Sequence, residues 1–420
     1  MRRIVWMLIL AGTLTAYAKM HTFEEVHRMP TSIEKDYYIW RLLSQRNTTA
    51  AQARTLIGEA CHLNKKLRTA YRKKTGYNPP TIKDRSPATP DHIWKRRSRA
   101  NKYFKTGLAL LRQGKKEQAA VYLDAAYKNY LKRYEKDKSL FWLYLTTKKK
   151  IYLDQLLKSY DPNIYTLMAA DTVKGRYPKT ITYQIKKQHA ENFDSTDPIC
   201  WAKVKSQINH SDDLDALANH YAAQECIGIH TYIKAKACKH TKAYFPMPYR
   251  DIMRKLPKKR QALIYAIARQ ESRFVPAAVS RSFALGMMQF MPFLIDHVAK
   301  QKGEKIDYDA IFNPKKAIEY ANYHLDYLSK HLYHPLFIAY AYNAGIGFTR
   351  KYLRNPKHFR KGPYEPYMSM ETMENAQARE YGKKVLANYV IYLNKLGIPT
   401  RIFSLMKILA TPEKTDSFRR

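Results

Sequence analysis

The strongest constraint on this chain is the period its apolar residues keep. Stretch after stretch repeats them at three- and four-residue spacing, and no series of short apolar runs alternates with turn signals as strands do. In KYFKTGLALLRQGKKEQAAVYLDAAYKNY, Phe104, Leu108 and Leu111 share one helical face. Ala119, Leu123, Ala126 and Tyr130 share another, with a turn at Gly114 between them. Glycine is scarce, 14 in 420 residues, which suits helices better than a turn-rich β fold. The expectation is an all-α protein with room for two or three domains.

Residues 19–244 read as an α-superhelix of stacked helical hairpins, a solenoid or ring-like region. Gly107, Ala119 and Ala126 sit at the small-residue spacing of a tetratricopeptide unit, although no second clean copy follows. The proline-rich stretch Gly76 to Pro90 interrupts the helices. Beyond the hairpin, LFWLYLTTKKKIYLDQLLKSY, IYTLMAADTV and DDLDALANHYAAQE continue the pattern. AYFPMPYRD, Ala243 to Asp251, carries two prolines and marks a boundary. Residues 245–396 then form a second compact helical unit, and 397–420 a basic C-terminal tail.

The first residues, MRRIVWMLILAGTLTAYAKMH, have a basic start, an apolar core and the small-x-small site Ala16-Tyr17-Ala18. They read as a signal peptide over 1–18, the apolar run being too short to span a bilayer. No cysteine follows it, so no lipid anchor is expected, and the mature chain is expected in the periplasm. Lys and Arg number 75 against 35 Asp and Glu, a net charge of +40. Such a surface attracts anionic partners such as cell-wall polymers or lipid headgroups, and nucleic acid is a poor partner for an exported chain. Lys95 to Arg99 and Lys148 to Lys150 are candidate contacts. The cysteines Cys61, Cys200, Cys226 and Cys238 allow three full pairings, between which the sequence does not choose. His220, His230 and His240 lie nearby but match no zinc-finger spacing.

In LPKKRQALIYAIARQESRF, Pro257 suits a first helical turn, and Leu263, Ile264, Ile267 and Ala268 lie on one face. Glu271 falls on that face, four residues beyond Ile267. A carboxyl held against apolar surface has its pKa raised and can act as a general acid. The same position equally fits a helix-end glutamate paired with Arg269 or Arg273.

The residues that follow resemble the soluble lytic murein transglycosylases, whose catalytic domain is lysozyme-like, of the goose type. Their first motif is matched by Glu271, Ser272, Phe274, Pro276, Ser280, Ala284, Gly286, Met288, Gln289, Met291 and Pro292. Phe283 stands where the family has Gly, and Met287 where it has Leu. AYAYNAG supplies the family's Tyr-Asn pair as Tyr342 and Asn343. METMENAQAREYGKKVLANY keeps Glu371, Arg379 and Tyr381 of a third motif but has Glu374, Gln377 and Ala378 in place of Pro, Glu and Thr. FNPKKAIEYANYHLDYL keeps Asn313, Pro314, Ile318 and Leu325 but has Ala317 and Ala321 for Asn and Gly.

The resemblance covers about residues 245 to 395. It implies cleavage of the β-1,4 bond between N-acetylmuramic acid and N-acetylglucosamine, with Glu271 as the single general acid and base and a 1,6-anhydro product. It implies that Ser280, Met288, Gln289 and Met291 line sugar subsites, with Asn343 beside them, and that Tyr342 hydrogen-bonds Glu271. Glu304, Asp307, Asp309 and Glu319 match no catalytic motif and read as solvated charges. No metal or organic cofactor is expected. The partners implied are peptidoglycan glycan strands and cell-wall synthesis proteins, met by a monomer without a stable membrane anchor.

Overall fold

The computed structural model describes residues 21–82, 84 and 90–419; the signal-peptide reading of 1–18 lies outside them. Among the described residues, 22 α-helices and one 3-10 turn carry the fold, and extended segments meet only in isolated bridges. The all-α expectation holds.

Helices Asp91–Arg112 and Lys116–Asn129 fold back on each other around Gly114, which takes a left-handed φ of 77°. Both predicted apolar faces are buried. At Gly107 the two helices lie close together, since a Cβ there would stand 2.9 Å from Leu123 Cγ. The following apolar run divides into helices Arg133–Thr147 and Lys150–Leu157. The break falls at Lys148, in left-handed conformation with φ 57°, and helix Ile164–Thr172 comes next. Lys95 to Arg99 and Lys148 to Lys150 are all exposed.

One apolar core runs from Val26 to Leu409, so helices on both sides of the proline-containing segment 243–251 bury their faces together. That segment is irregular up to Tyr249, and two of its carbonyls are taken by tyrosines. Tyr265 donates to Pro248 O at 2.9 Å and Tyr392 to Pro246 O at 3.0 Å. A smaller core lies under helices Pro198–His210, Leu214–His220 and Ile227–Ala237. It includes Val275 and Ala277, which follow Glu271. The N-terminal helices therefore bear directly on the segment after the candidate acid.

Residues 397–419 pack onto the body. Ile402, Met406 and Leu409 are buried, and the Arg419 guanidinium lies 5.2 Å from the Phe337 ring centre. No disulfide forms among the described residues, and Cys200, Cys226 and Cys238 are thiols. Cys226 and Cys238 cap opposite ends of helix Ile227–Ala237. At 1.5 Å per residue that is about 18 Å of rise, far beyond disulfide reach.

Candidate active site

Glu271 is the last residue of helix Lys258–Glu271, whose Ala262, Ile264, Ala266, Ile267 and Ala268 are fully buried. Pro257 stands just outside the helix, as its N-cap. Immediately after Glu271 and Ser272 the chain reverses through two left-handed residues, Arg273 at φ 56° and Phe274 at φ 68°. The helix cannot continue, and the acid is left at its exposed rim with only part of its side-chain surface reachable by solvent.

Neither neighbouring arginine pairs with Glu271 among the described residues. Arg269 donates to Tyr244 O at 2.9 Å and to Asn388 Oδ1 at 2.7 Å, while Arg273 lies over the Tyr232 ring. The partner of Glu271 is Tyr381, whose hydroxyl donates to Oε1 at 2.6 Å. Tyr381 sits on helix Ala376–Lys395, which packs along the acid's helix. Desolvation pushes the Glu271 pKa up to about 7, and the Tyr381 hydrogen bond works against it. A carboxyl so poised holds a proton near neutrality and can release it.

The segment from Ser272 to Met291 forms the wall beside the acid. Ser272 Oγ donates to Met287 O at 2.7 Å. Leu285 and Phe290 exchange backbone hydrogen bonds at 2.9 Å, closing a tight loop around Gly286. Gly286 has φ 74°, and a Cβ there would approach Ile311 O to 2.6 Å, so only glycine fits. Ser280 Oγ accepts from Ala284 N at 2.9 Å. The Gln289 side-chain amide donates to Gly286 O at 2.9 Å and Ala278 O at 3.2 Å. Both polar side chains therefore shape the wall through its backbone.

Two expectations need correction. Met288 is 0% exposed and Met287 nearly so; both fill the core, as soft thioethers do in irregular gaps, instead of facing a ligand. Tyr342 does not hydrogen-bond Glu271; its hydroxyl donates to Met288 O at 2.9 Å. It nevertheless stands near the acid. Burial, and then the Glu271 charge, hold its pKa well above the usual tyrosine value. Met291 caps helix Pro292–Lys302 and Asn343 lies near the end of helix Pro335–Ala344, both partly exposed.

Motif reading assigned no role to two residues here. Tyr381 was legible only as one of three matches in a weakened motif. His324, on helix Pro314–Ser329, places its ring 5.6 Å from that of Tyr342. Burial pushes its pKa down to about 4, with His297 adding to the effect, so it stands neutral. Its only sequence signal was its place on a partly apolar helix.

The other carboxylates weighed from sequence are engaged elsewhere. Asp307 and Asp309 bind Arg41, and Asp309 accepts from Tyr37 at 2.6 Å. Glu304 and Glu319 both pair with Lys302 and Lys316. Glu371 is buried against Lys383 Nζ at 2.7 Å and the Tyr165 hydroxyl at 2.5 Å. All five are paired: Glu304 and Glu319 remain on the solvated surface, with 28% and 39% of their side chains exposed, and Glu371 is buried. Among the described residues the site thus offers one protonatable carboxyl, Glu271, beside the 272–291 wall.

A family model described as the transglycosylase SLT domain matches residues 253–364. The soluble lytic murein transglycosylase of Salmonella typhimurium is 28% identical over 215 residues, covering 49% of this chain and 32% of that protein. The Escherichia coli protein of the same name is 26% identical over 219 residues, with the same coverage. The match thus spans about a third of the length of these relatives. Among solved structures, the 70 kDa soluble lytic transglycosylase of Escherichia coli aligns with a TM-score of 0.50 at 19% identity. That alignment covers 92% of this chain and 67% of that one, and the likeness is one of fold. Tyr381 lies beyond the segment that the family model matches. Over residues 253–364 the chain matches the transglycosylase SLT domain family.

Proposed function

We propose that this protein is a lytic transglycosylase that cleaves the β-1,4 bond between N-acetylmuramic acid and N-acetylglucosamine in peptidoglycan without consuming water. The observation that carries the reading is the state of Glu271, a lone carboxyl with its pKa raised to about 7 and held by Tyr381. Protonated Glu271 gives its proton to the glycosidic oxygen, and the bond to C1 breaks through an oxocarbenium-like state. The Glu271 carboxylate then takes the proton of the muramic acid 6-hydroxyl as that oxygen attacks C1 and closes the 1,6-anhydro ring. The proton returns to Glu271 and the cycle is complete. A single carboxyl serves both steps, which fits the engagement of the neighbouring acids in other pairs.

In this reading residues 245–396 are the catalytic unit, and the helices of 19–244 guide glycan strands with their exposed basic residues. The mature chain works in the periplasm as a monomer after removal of residues 1–18, beside cell-wall synthesis proteins. Among the described residues no helix is long and apolar enough to cross a membrane. Ser280, Gln289, Met291 and Asn343 border the sugar path, and Tyr342 braces it from behind.

The test is mass spectrometry of muropeptides released from purified sacculi by the mature chain and by Glu271→Gln. Anhydro-muropeptides from the wild type and none from the variant support the reading. Reducing-end products would make the protein a hydrolytic muramidase. Binding without any product would make it a peptidoglycan-binding scaffold.

A further inference from the structure

Phe283 takes the place of a glycine in the motif, and its backbone keeps a glycine conformation, with φ 60°. An aromatic residue is strained there, so its surroundings must hold it. The ring is 1% exposed and lies against Tyr37 and Trp40 of helix Ile33–Leu43, with centroids 6.0 and 5.6 Å away. That aromatic pocket is itself braced. Tyr37 donates to Asp309 at 2.6 Å, Arg41 donates to Tyr37 at 2.9 Å, and Trp40 stacks on Tyr308.

The two residues before Phe283 are also taken by N-terminal side chains. Asn64 Nδ2 donates to Arg281 O at 2.7 Å and Lys66 Nζ to Ser282 O at 3.1 Å. Residues 281 to 283 are thus gripped one after another. Residue 284 then turns back to the Ser280 hydroxyl and into the wall beside Glu271.

We propose that Phe283 is a positioning residue, a latch through which helix Ile33–Leu43 holds the 280–289 wall in its substrate-binding shape. Glu271 and Tyr381 ride on two other helices, so releasing the latch loosens substrate contacts and leaves the acid's ionisation alone. The kinetic part of the inference rests on the transglycosylase reading; the structural part does not.

The test compares the mature chain with Phe283→Gly, which accepts the left-handed backbone without strain. Trp40→Ala serves as a second variant, emptying the pocket without touching the wall. Amide exchange over residues 280–290 is measured in each, with kcat, KM and the pH profile of glycan cleavage. Both variants should exchange these amides roughly tenfold faster, because the local opening equilibrium shifts. KM should rise about five- to tenfold with the alkaline pH midpoint unmoved, and the double variant should be no worse than either single one. Unchanged exchange in both variants overturns the latch, and so does a moved pH midpoint with unchanged KM. Faster exchange in the variants of a chain that releases no product at all supports the latch and overturns the functional reading alone.

Discussion

The Tyr381 hydroxyl donates to Glu271 Oε1 at 2.6 Å, tying the end of helix Lys258–Glu271 to the second turn of helix Ala376–Lys395. The two influences on this carboxyl oppose each other: burial favours the neutral acid, and the phenol proton favours the carboxylate. Burial wins, and the pKa settles at about 7. The result is an acid that is protonated below neutrality and can still lose its proton.

The cleavage rate should therefore fall as pH rises through about 7, when Glu271 loses the proton it must donate. Tyr381→Phe removes the one influence that lowers this pKa, so the alkaline limb should move to higher pH. The same variant frees the carboxyl to rotate, and kcat should drop by roughly ten- to a hundredfold, the scale of a misplaced acid. A pH–rate profile of both proteins checks the two effects together. An alkaline limb moving to lower pH would contradict the assignment.

Tyr342→Phe should behave differently, because its hydroxyl serves Met288 O and not the acid. Losing that hydrogen bond should cost about 1 kcal/mol of stability. The pH midpoint should stay within experimental scatter of the wild type. Denaturant unfolding beside a pH profile separates this result from that of Tyr381→Phe.

Gly382 adjoins Tyr381 and faces the neighbouring helix Pro335–Ala344, where a Cβ would stand 2.2 Å from a ring carbon of Tyr340. Gly382→Ala should destabilise the protein by about 1–3 kcal/mol through overpacking, in spite of alanine's better helix propensity. Because the displacement pushes helix Ala376–Lys395 away from its neighbour, activity should fall with stability. A thermal melt with a parallel assay decides it; a stabilised variant would exclude this packing.

Lys383 is fully buried between Glu371, Glu380 and the Tyr165 hydroxyl, joining the helix that bears Tyr381 to N-terminal helix Ile164–Thr172. Lys383→Ala leaves Glu371 buried without its cation, at a cost of about 3–5 kcal/mol. Pairing it with Glu371→Gln should restore part of the loss, since the stranded charge is then gone. Equilibrium unfolding of the single and double variants measures that coupling.

Glu271 should also link stability to pH. Its pKa is about 7 when folded against 4.5 for an unperturbed glutamate, so between these values the folded state binds more protons than the unfolded one. Its contribution is fully present below pH 4.5 and is lost as pH rises to about 7. Glu271→Gln does not titrate, so it should be more stable than the wild type above pH 7, by at most about 3 kcal/mol. That gap should close below pH 4.5. Melts across this range test the sign.

Much of this could be read from the chain before any coordinates. The period of Phe104, Leu108 and Leu111 fixes a helical face because 3.6 residues make a turn, and those residues are buried as expected. Glu271 could be placed on the inner face of its helix by the same count, four residues beyond Ile267. These are local matters, in which near neighbours along the chain decide the outcome.

What a distant partner supplies was not legible. No spacing could show that Tyr381 and not Tyr342 reaches Glu271, because the two lie on separate helices whose crossing is set by packing. Met288 could fill core or face ligand with the same sequence, and only the closed core, in which Tyr342 takes its backbone carbonyl, placed it inside. The strain at Phe283 was visible as a departure from glycine, but the pocket of Tyr37 and Trp40 that holds it lies some 240 residues earlier. Helical periodicity reports which face of a helix is apolar; which other apolar face will cover it is decided only when the whole core closes.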